Sequence, residues 1–316
     1  MRYIFSGNFP PQVKEILTKA DDFKPISLLC TQLERRQFEL YQNYKQEGFC
    51  DFIMVDSGAY SVFTGKANTT IDQYIDFINE NQEKADIFVE LDTIPGKWGK
   101  SKRPEDYIES AKSSWEDFLY MRERIDCKNK LLPVFHSGEP FSALRTTLEW
   151  KDSYGNNLDY IGISAAKDAN NKHRDIYLQD VQHVIKKSSN PNVGIHLFGT
   201  TALRVLATVP CISCDSTTHI RLAAYGSIIS PTFGTINVSS KGGTRCNQSN
   251  HFIYTADDKK LSKLKEELEP LKLTIEDISN SNAARCAFNI RSIIQLTETT
   301  YAYNPKNVVT KKQLLG

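Results

Sequence analysis

Short apolar runs alternate with amphipathic stretches almost from end to end of this sequence, and few folds satisfy that rhythm. The candidate strands are RYIFSG (2–7), DFIMVDSG (51–58), DIFVELD (86–92), LLPVFHSG (131–138), YIGISAA (160–166), VGIHLFG (193–199), CISCD (211–215) and GTINVSS (234–240). Helical patterns lie between them. Ile71, Tyr74, Ile75 and Ile78 follow i, i+3, i+4, i+7 spacing behind Thr70, a candidate N-cap. Pro104 can open a helix carrying Ile108, Ala111, Trp115, Phe118 and Leu119 on one face. Tyr177, Val181, Val184 and Ile185 mark another. Strands alternating with helices imply parallel βαβ units. Eight of them predict an α/β (β/α)8 TIM barrel with insertions, and a doubly wound open sheet is the alternative. The expected organisation is one barrel domain over 1–316, with 241–316 as a C-terminal extension that includes the closing helix.

Composition narrows the class. Of the 316 residues, 40% are hydrophobic and 24% charged, as in globular proteins and unlike disordered ones. A net charge of +1 means that any nucleic acid must be held by local patches. No apolar run reaches about 18 residues, so no membrane partner is expected. The opening MRYIFSGNFPP lacks a signal-peptide layout. Seven cysteines at irregular spacing suggest free thiols, so a cytoplasmic location is expected.

Polar residues fall at one kind of place. Asp56, Asp92, His136, Ser164, Gly199 and Asp215 each stand at the C-terminal end of a different candidate strand. In a barrel those ends converge on one mouth, where such enzymes keep their catalytic groups. A lone strand-end polar residue is more often a cap, but six together point to a shared site. Two carboxylates flanking a sugar can run a double displacement, one attacking the anomeric carbon and the other moving the proton. Metal hydrolysis would ask for clustered ligands; there is no H-x-H, and His136, His196 and His219 are scattered along the chain. Cys214 reads as a buried structural thiol. No P-loop or G-x-G-x-x-G occurs, and KGGTR (241–245) lacks the strand–helix context that a phosphate loop needs.

Six stretches also carry a resemblance. VDSGAYS (55–61) is similar to the D-S-G-G-F-Q stretch of tRNA-guanine transglycosylases, and HLFGTT (196–201) to their Y-L-M-G-V-G. SCDSTT (213–218) falls where they carry F-D-C-x-x-P-T. PVFHSG (133–138), ELD (90–92) and GTINV (234–238) occupy the places of their V-Q-G-G, F-D-E and G-P-I-N-I, all in order. The resemblance implies a (β/α)8 barrel that swaps guanine for a 7-deazaguanine, such as 7-cyano-7-deazaguanine, without breaking the sugar–phosphate backbone. It implies that Asp215 is the nucleophile and Asp56 the general acid/base. By the same resemblance Asp92 reads the N1 and 2-amino edge of guanine, and His136 stands where the family has a base-reading glutamine. Gly162, Ser164 and Gly199 would bring backbone groups to the base, and Tyr60 would stack on it.

Departures from the family bear on the polymer. The tRNA enzymes hold a structural zinc with C-x-C-x-x-C and a later histidine, whereas here Cys246, His251 and Cys286 are far from that spacing, so no metal or other cofactor is expected. THIRLAAYG (218–226) replaces the polar stretch that follows the family's nucleophile. The chain thus resembles more closely the phage-type branch that inserts 7-deazaguanines into DNA as protection against restriction. DNA is the expected partner, and tRNA the alternative. Loops at the mouth would hold it: Lys97, Trp98, Lys100, Lys102 and Arg103 after the Asp92 strand, with Lys241 and Arg245 after the last strand. The bland reading of these cations is solvated surface charge, and DDKKLSKLKEELEPLK (257–272) reads as an exposed mixed-charge helix. A noncatalytic polynucleotide-binding subunit and a nucleoside hydrolase remain as readings from other classes.

Overall fold

The computed structural model describes residues 1–165, 171–200, 202–240 and 249–303. Nine parallel strands form its main sheet: β1 (Arg2–Ser6), β2 (Ile26–Thr31), β3 (Cys50–Asp56), β4 (Ile87–Val89), β5 (Leu131–Leu132), β6 (Val134–His136), β7 (Tyr160–Ser164), β8 (Gly194–Phe198) and β9 (Ser213–Ser216). Their order is β5-β4-β3-β2-β1-β9-β8-β7-β6. β5 and β6 are two halves of one segment, interrupted at Pro133, which has no N–H for a ladder. The first half pairs with β4 and the second with β7. One stretch of chain therefore joins the two ends of the strand order, and the sheet wraps into a nearly closed barrel ringed by helices. This is a TIM-barrel-like α/β fold.

Strand alternation separates two cores. Ile4, Met54, Val89 and Leu132 point inward, with Leu29, Phe52, Val134, Tyr160 and Phe198 packed against them, and fill the barrel. Neighbouring residues such as Tyr3, Phe5, Leu28, Ile53 and Phe88 point outward into the larger layer beneath the helices. Because both faces are buried, the strands read as continuous apolar runs.

The expected helices form where their signals lie. Thr70 caps Ile71–Asn81 through a capping box with Gln73. Pro104 opens Pro104–Arg124, which buries Ala111 and Phe118. Asn171–Lys187 buries Val181, Val184 and Ile185. Asp258–Leu268 keeps its charges outside and buries Leu264 and Leu268. The long helix Asn282–Tyr303 packs across β1 and across the helices Pro11–Leu17, Leu203–Thr208 and Thr218–Ala224, covering the seam where β1 meets β9.

Three expectations are corrected. GTINV is not a barrel strand: β11 (Gly234–Asn237) pairs antiparallel with β10 (Ser227–Ser230) in a separate two-stranded sheet. The strand that completes the barrel is β2, ISLLCT, between β1 and β3; only residues 32–34 separate it from the helix Arg35–Gln46, so its leucines read as a helical start. Ile108, expected on a buried face, is 58% exposed, because it lines an open groove between its helix and the helix Phe141–Glu149 instead of packing against it. Among the described residues no helix is long and apolar enough to cross a membrane.

Candidate active site

In a parallel barrel all strands end at the same rim, so the polar residues at those ends meet there. Asp56 is the last residue of β3, His136 of β6 and Ser164 of β7, while Gly199 follows β8 and Asp215 lies in β9. Their meeting is registered electrostatically on Asp56. Burial first, then the charges of Asp92 and Asp215, push its carboxyl up to about 7, against the opposing N–H groups of Gly58 and Ser57. Three aspartates, two on strands and Asp92 just beyond β4, thus share one field.

Asp92 does not stand alone. Its Oδ2 lies 3.1 Å from His136 Nε2, and His136 Nδ1 lies 3.2 Å from Glu139 Oε1. The other Glu139 oxygen accepts the His136 backbone N–H at 2.9 Å. Burial alone would lower the imidazole, but hydrogen bonds and charge from Asp92 and Glu139 prevail and raise it to about 10. His136 is therefore an imidazolium clamped between two carboxylates, with both ring nitrogens engaged. Glu90 supports the same wall: its Oε1 accepts the Val134 N–H at 2.5 Å, and burial followed by the Asp92 charge raises its carboxyl well above the usual range.

Asp215 is 8% exposed and held on several sides. Gly199, at φ +59°, turns its N–H onto Oδ1 at 2.9 Å. The Ser6 hydroxyl donates to Oδ2 at 3.3 Å. His196 Nε2 lies 3.4 Å from Oδ1, and the His196 Nδ1 shares a hydrogen bond with Ser213 Oγ, which also bonds the Tyr160 hydroxyl. The histidines that look scattered in sequence each serve a carboxylate: His136 serves Asp92, and His196 serves Asp215. His219 alone stays in the core, edge-on to Phe5.

The remaining expected residues divide. Gly162 gives its N–H to Pro133 O, so that group is committed to the sheet. A Cβ at Gly162 would come within 2.5 Å of the Phe198 ring, so glycine makes room for Phe198. Ser164 lies opposite His136 in register, and its carbonyl accepts the Ser137 N–H. Tyr60 and Trp98 are 55% and 59% exposed and meet edge to face at 6.0 Å, with Phe63 against the same indole. Tyr60 is thus no core residue. Lys97, Lys100 and Lys102 are exposed, with Lys102 5.8 Å above the Tyr107 ring. Arg103 caps its helix and pairs with Asp106 at 3.2 Å. Lys241, Arg245 and Cys246 lie outside the described residues. His251 and Cys286 are buried, and among the described residues no group of three His, Cys, Asp or Glu is placed to hold a metal ion.

Sequence reasoning found the three aspartates and missed what supports them. His196 sits within β8 and Ser213 opens β9, so neither has the strand-to-loop signature of the aspartates, and Ser6 ends β1 but carries no charge to mark it. Glu139 alone carried a readable sign, three residues beyond His136. Compared with known proteins, the chain matches no protein-family model and no curated protein. Fold and mouth together define an α/β barrel with three aspartates clustered at its C-terminal rim, one of them poised near neutrality.

Proposed function

We propose that this protein is a guanine transglycosylase that exchanges guanine in DNA for a 7-deazaguanine. The observation that carries the reading is the convergence of Asp56, Asp92 and Asp215, with Asp56 held at about 7 beside a fixed, nearly buried Asp215. A carboxyl near 7 can give and take back a proton at neutral pH, as a double displacement needs. Asp215 attacks C1′ of the target nucleotide as the C1′–N9 bond breaks. The electron pair leaves with guanine, which takes a proton from Asp56. The incoming 7-deazaguanine returns its N9 proton to Asp56, attacks C1′ and displaces Asp215, so both bonds exchange and the backbone stays intact. Asp92, oriented by the His136 imidazolium, reads the donor edge of the base.

The target base must leave its stack to reach such a mouth. Tyr60 and Trp98 stand exposed beside Asp56 and Asp92 in sequence, where ring faces can receive an extruded base. Lys97, Lys100 and Lys102 offer charge for phosphates on the same loop. The absent zinc spacing and the altered stretch after Asp215 favour DNA over tRNA, and a modification of this kind would protect DNA against restriction.

Incubation with labelled guanine and either duplex DNA or tRNA, followed by nucleoside mass spectrometry, tests the proposal. Label is expected in DNA. Preferential labelling of tRNA would reassign the polymer, and loss of guanine without replacement would indicate a hydrolase. Asp215→Asn should abolish exchange, because an amide is no nucleophile, and should leave the thermal transition in place. With the incoming base withheld, a covalent protein–DNA adduct should accumulate in the wild type only. Full exchange by Asp215→Asn would remove this residue from the mechanism.

A further inference from the structure

We infer that His196 is a positioning residue that selects Oδ2 of Asp215 as the attacking oxygen and holds Oδ1 as the carbonyl of the covalent intermediate. The inference rests on the transglycosylase reading of the site.

The two oxygens of Asp215 are not equivalent. Oδ1 accepts the Gly199 N–H at 2.9 Å and has His196 Nε2 beside it at 3.4 Å. Oδ2 has the Ser6 hydroxyl at 3.3 Å. An oxygen bound by a pre-set backbone donor is the poorer nucleophile, so attack falls to Oδ2. His196 itself is completely buried, and its Nε2 makes no formed hydrogen bond in the free protein. A buried ring nitrogen in that state is unusual and costly, and the acceptor next to it is the carboxylate.

A buried chain sets which ring nitrogen bears the hydrogen. The Tyr160 hydroxyl and His196 Nδ1 both bond Ser213 Oγ. The phenol, the more acidic hydroxyl, donates to Ser213. Ser213 then turns its own hydrogen to Nδ1, which leaves the imidazole hydrogen on Nε2, facing Asp215. The opposite polarity would set a bare nitrogen lone pair against a carboxylate oxygen. When Oδ2 bonds C1′, Oδ1 becomes an ester carbonyl held by Gly199 N–H with Nε2–H close by. When the C1′–Oδ2 bond breaks again, the returning charge meets two donors already in place, the arrangement that makes such sites effective.

Three substitutions separate this role from mere filling of space. The side-chain nitrogen of His196→Gln can stand in for Nε2, whereas that of His196→Asn can reach only the Ser213 side. His196→Asn should slow adduct formation about 100-fold, the low end of what losing one pre-set donor costs, with KM for DNA unchanged. His196→Gln should recover most of that rate. A structural role alone would not rank Gln above Asn, and equal near-wild-type rates for the two variants would overturn the assignment. Ser213→Ala leaves Asp215 and His196 in place and is read by nitrogen NMR of the free protein. The wild-type ring should carry its hydrogen on Nε2, and the preference should weaken in the variant, where only the Asp215 carboxylate still favours it. A wild-type ring with its hydrogen on Nδ1 alone would overturn the inference whether or not the protein exchanges bases. A wild type that exchanges no base would instead defeat the transglycosylase reading.

Discussion

Asp56 owes its position near neutrality to surroundings that can be removed one at a time. Burial is the largest cause of its raised value and the Asp92 charge the next. Exchange that needs a protonated Asp56 should therefore fall as pH rises through about 7, the alkaline limb following this carboxyl. Asp92→Asn should move the Asp56 titration to lower pH, measured by carbon NMR of the carboxyl group in the free protein. An unchanged midpoint would mean that the two carboxylates do not share a field. At this scale the sequence was informative where chemistry and topology coincide: an aspartate ending an apolar run stands out. It was silent on His196 and Ser213, whose polar atoms lie within the barrel and whose partners come from other strands. No spacing along the chain reports a hydrogen bond between residues that only closure of the sheet brings together.

Among the elements, the connection after β4 carries the test of polymer binding. Lys100 and Lys102 stand in solvent, while Arg103 is already bound to Asp106. Replacing Lys100, Lys102 and Arg103 together with Ala should weaken DNA binding regardless of sequence. The dependence of log affinity on log salt should flatten by about 0.9 for each phosphate left unneutralised. Arg103→Ala alone should change the slope least, because its charge is partly neutralised before DNA arrives. An unchanged slope in the triple variant would place the DNA elsewhere on the surface. The elements also show why eight strands were expected correctly but not all identified. Alternating or apolar runs mark a strand without naming its partner, so β11 passed for a barrel strand although it closes a hairpin. β2 was hidden by leucines that suit either a helix or a doubly buried strand, and only pairing on both sides decided between them.

For the whole molecule, four buried groups shape stability against pH. His219, pushed down to about 3 by burial, stays neutral in the fold, so stability is lost as pH falls below 6.5, where the unfolded chain takes up that proton. Asp56 acts oppositely: the fold keeps its proton up to about 7 and the unfolded chain releases it near 3.8, so its contribution fades as pH rises across that interval. Glu90, whose buried carboxyl is raised well above its usual range, acts in the same sense as Asp56, so above pH 4.5 the two carboxyls together outweigh His219. His136, raised to about 10, contributes fully below 6.5 and loses its contribution as pH climbs toward 10. Denaturant melts across pH should therefore show stability declining from about pH 4.5 upward. Asp56→Asn should remove one of the two carboxyl slopes, about 1.4 kcal/mol per pH unit, leaving Glu90 to offset His219 and a plateau up to about pH 6.5. A decline as steep as the wild type's in that variant would show that Asp56 contributes no such slope. Closure of the barrel has a consequence for biosynthesis as well. Ser6 and Asp215 touch across 209 positions of chain. At roughly 5–20 residues per second, the ribosome needs about 10–40 s to make the stretch between them. Throughout that interval β1 has β2 on one side and nothing on the other, an open sheet edge of the kind that recruits foreign strands. A nascent chain of this protein should need shielding until β9 emerges, and Asp215, the proposed nucleophile, arrives on the same strand that ends the exposure.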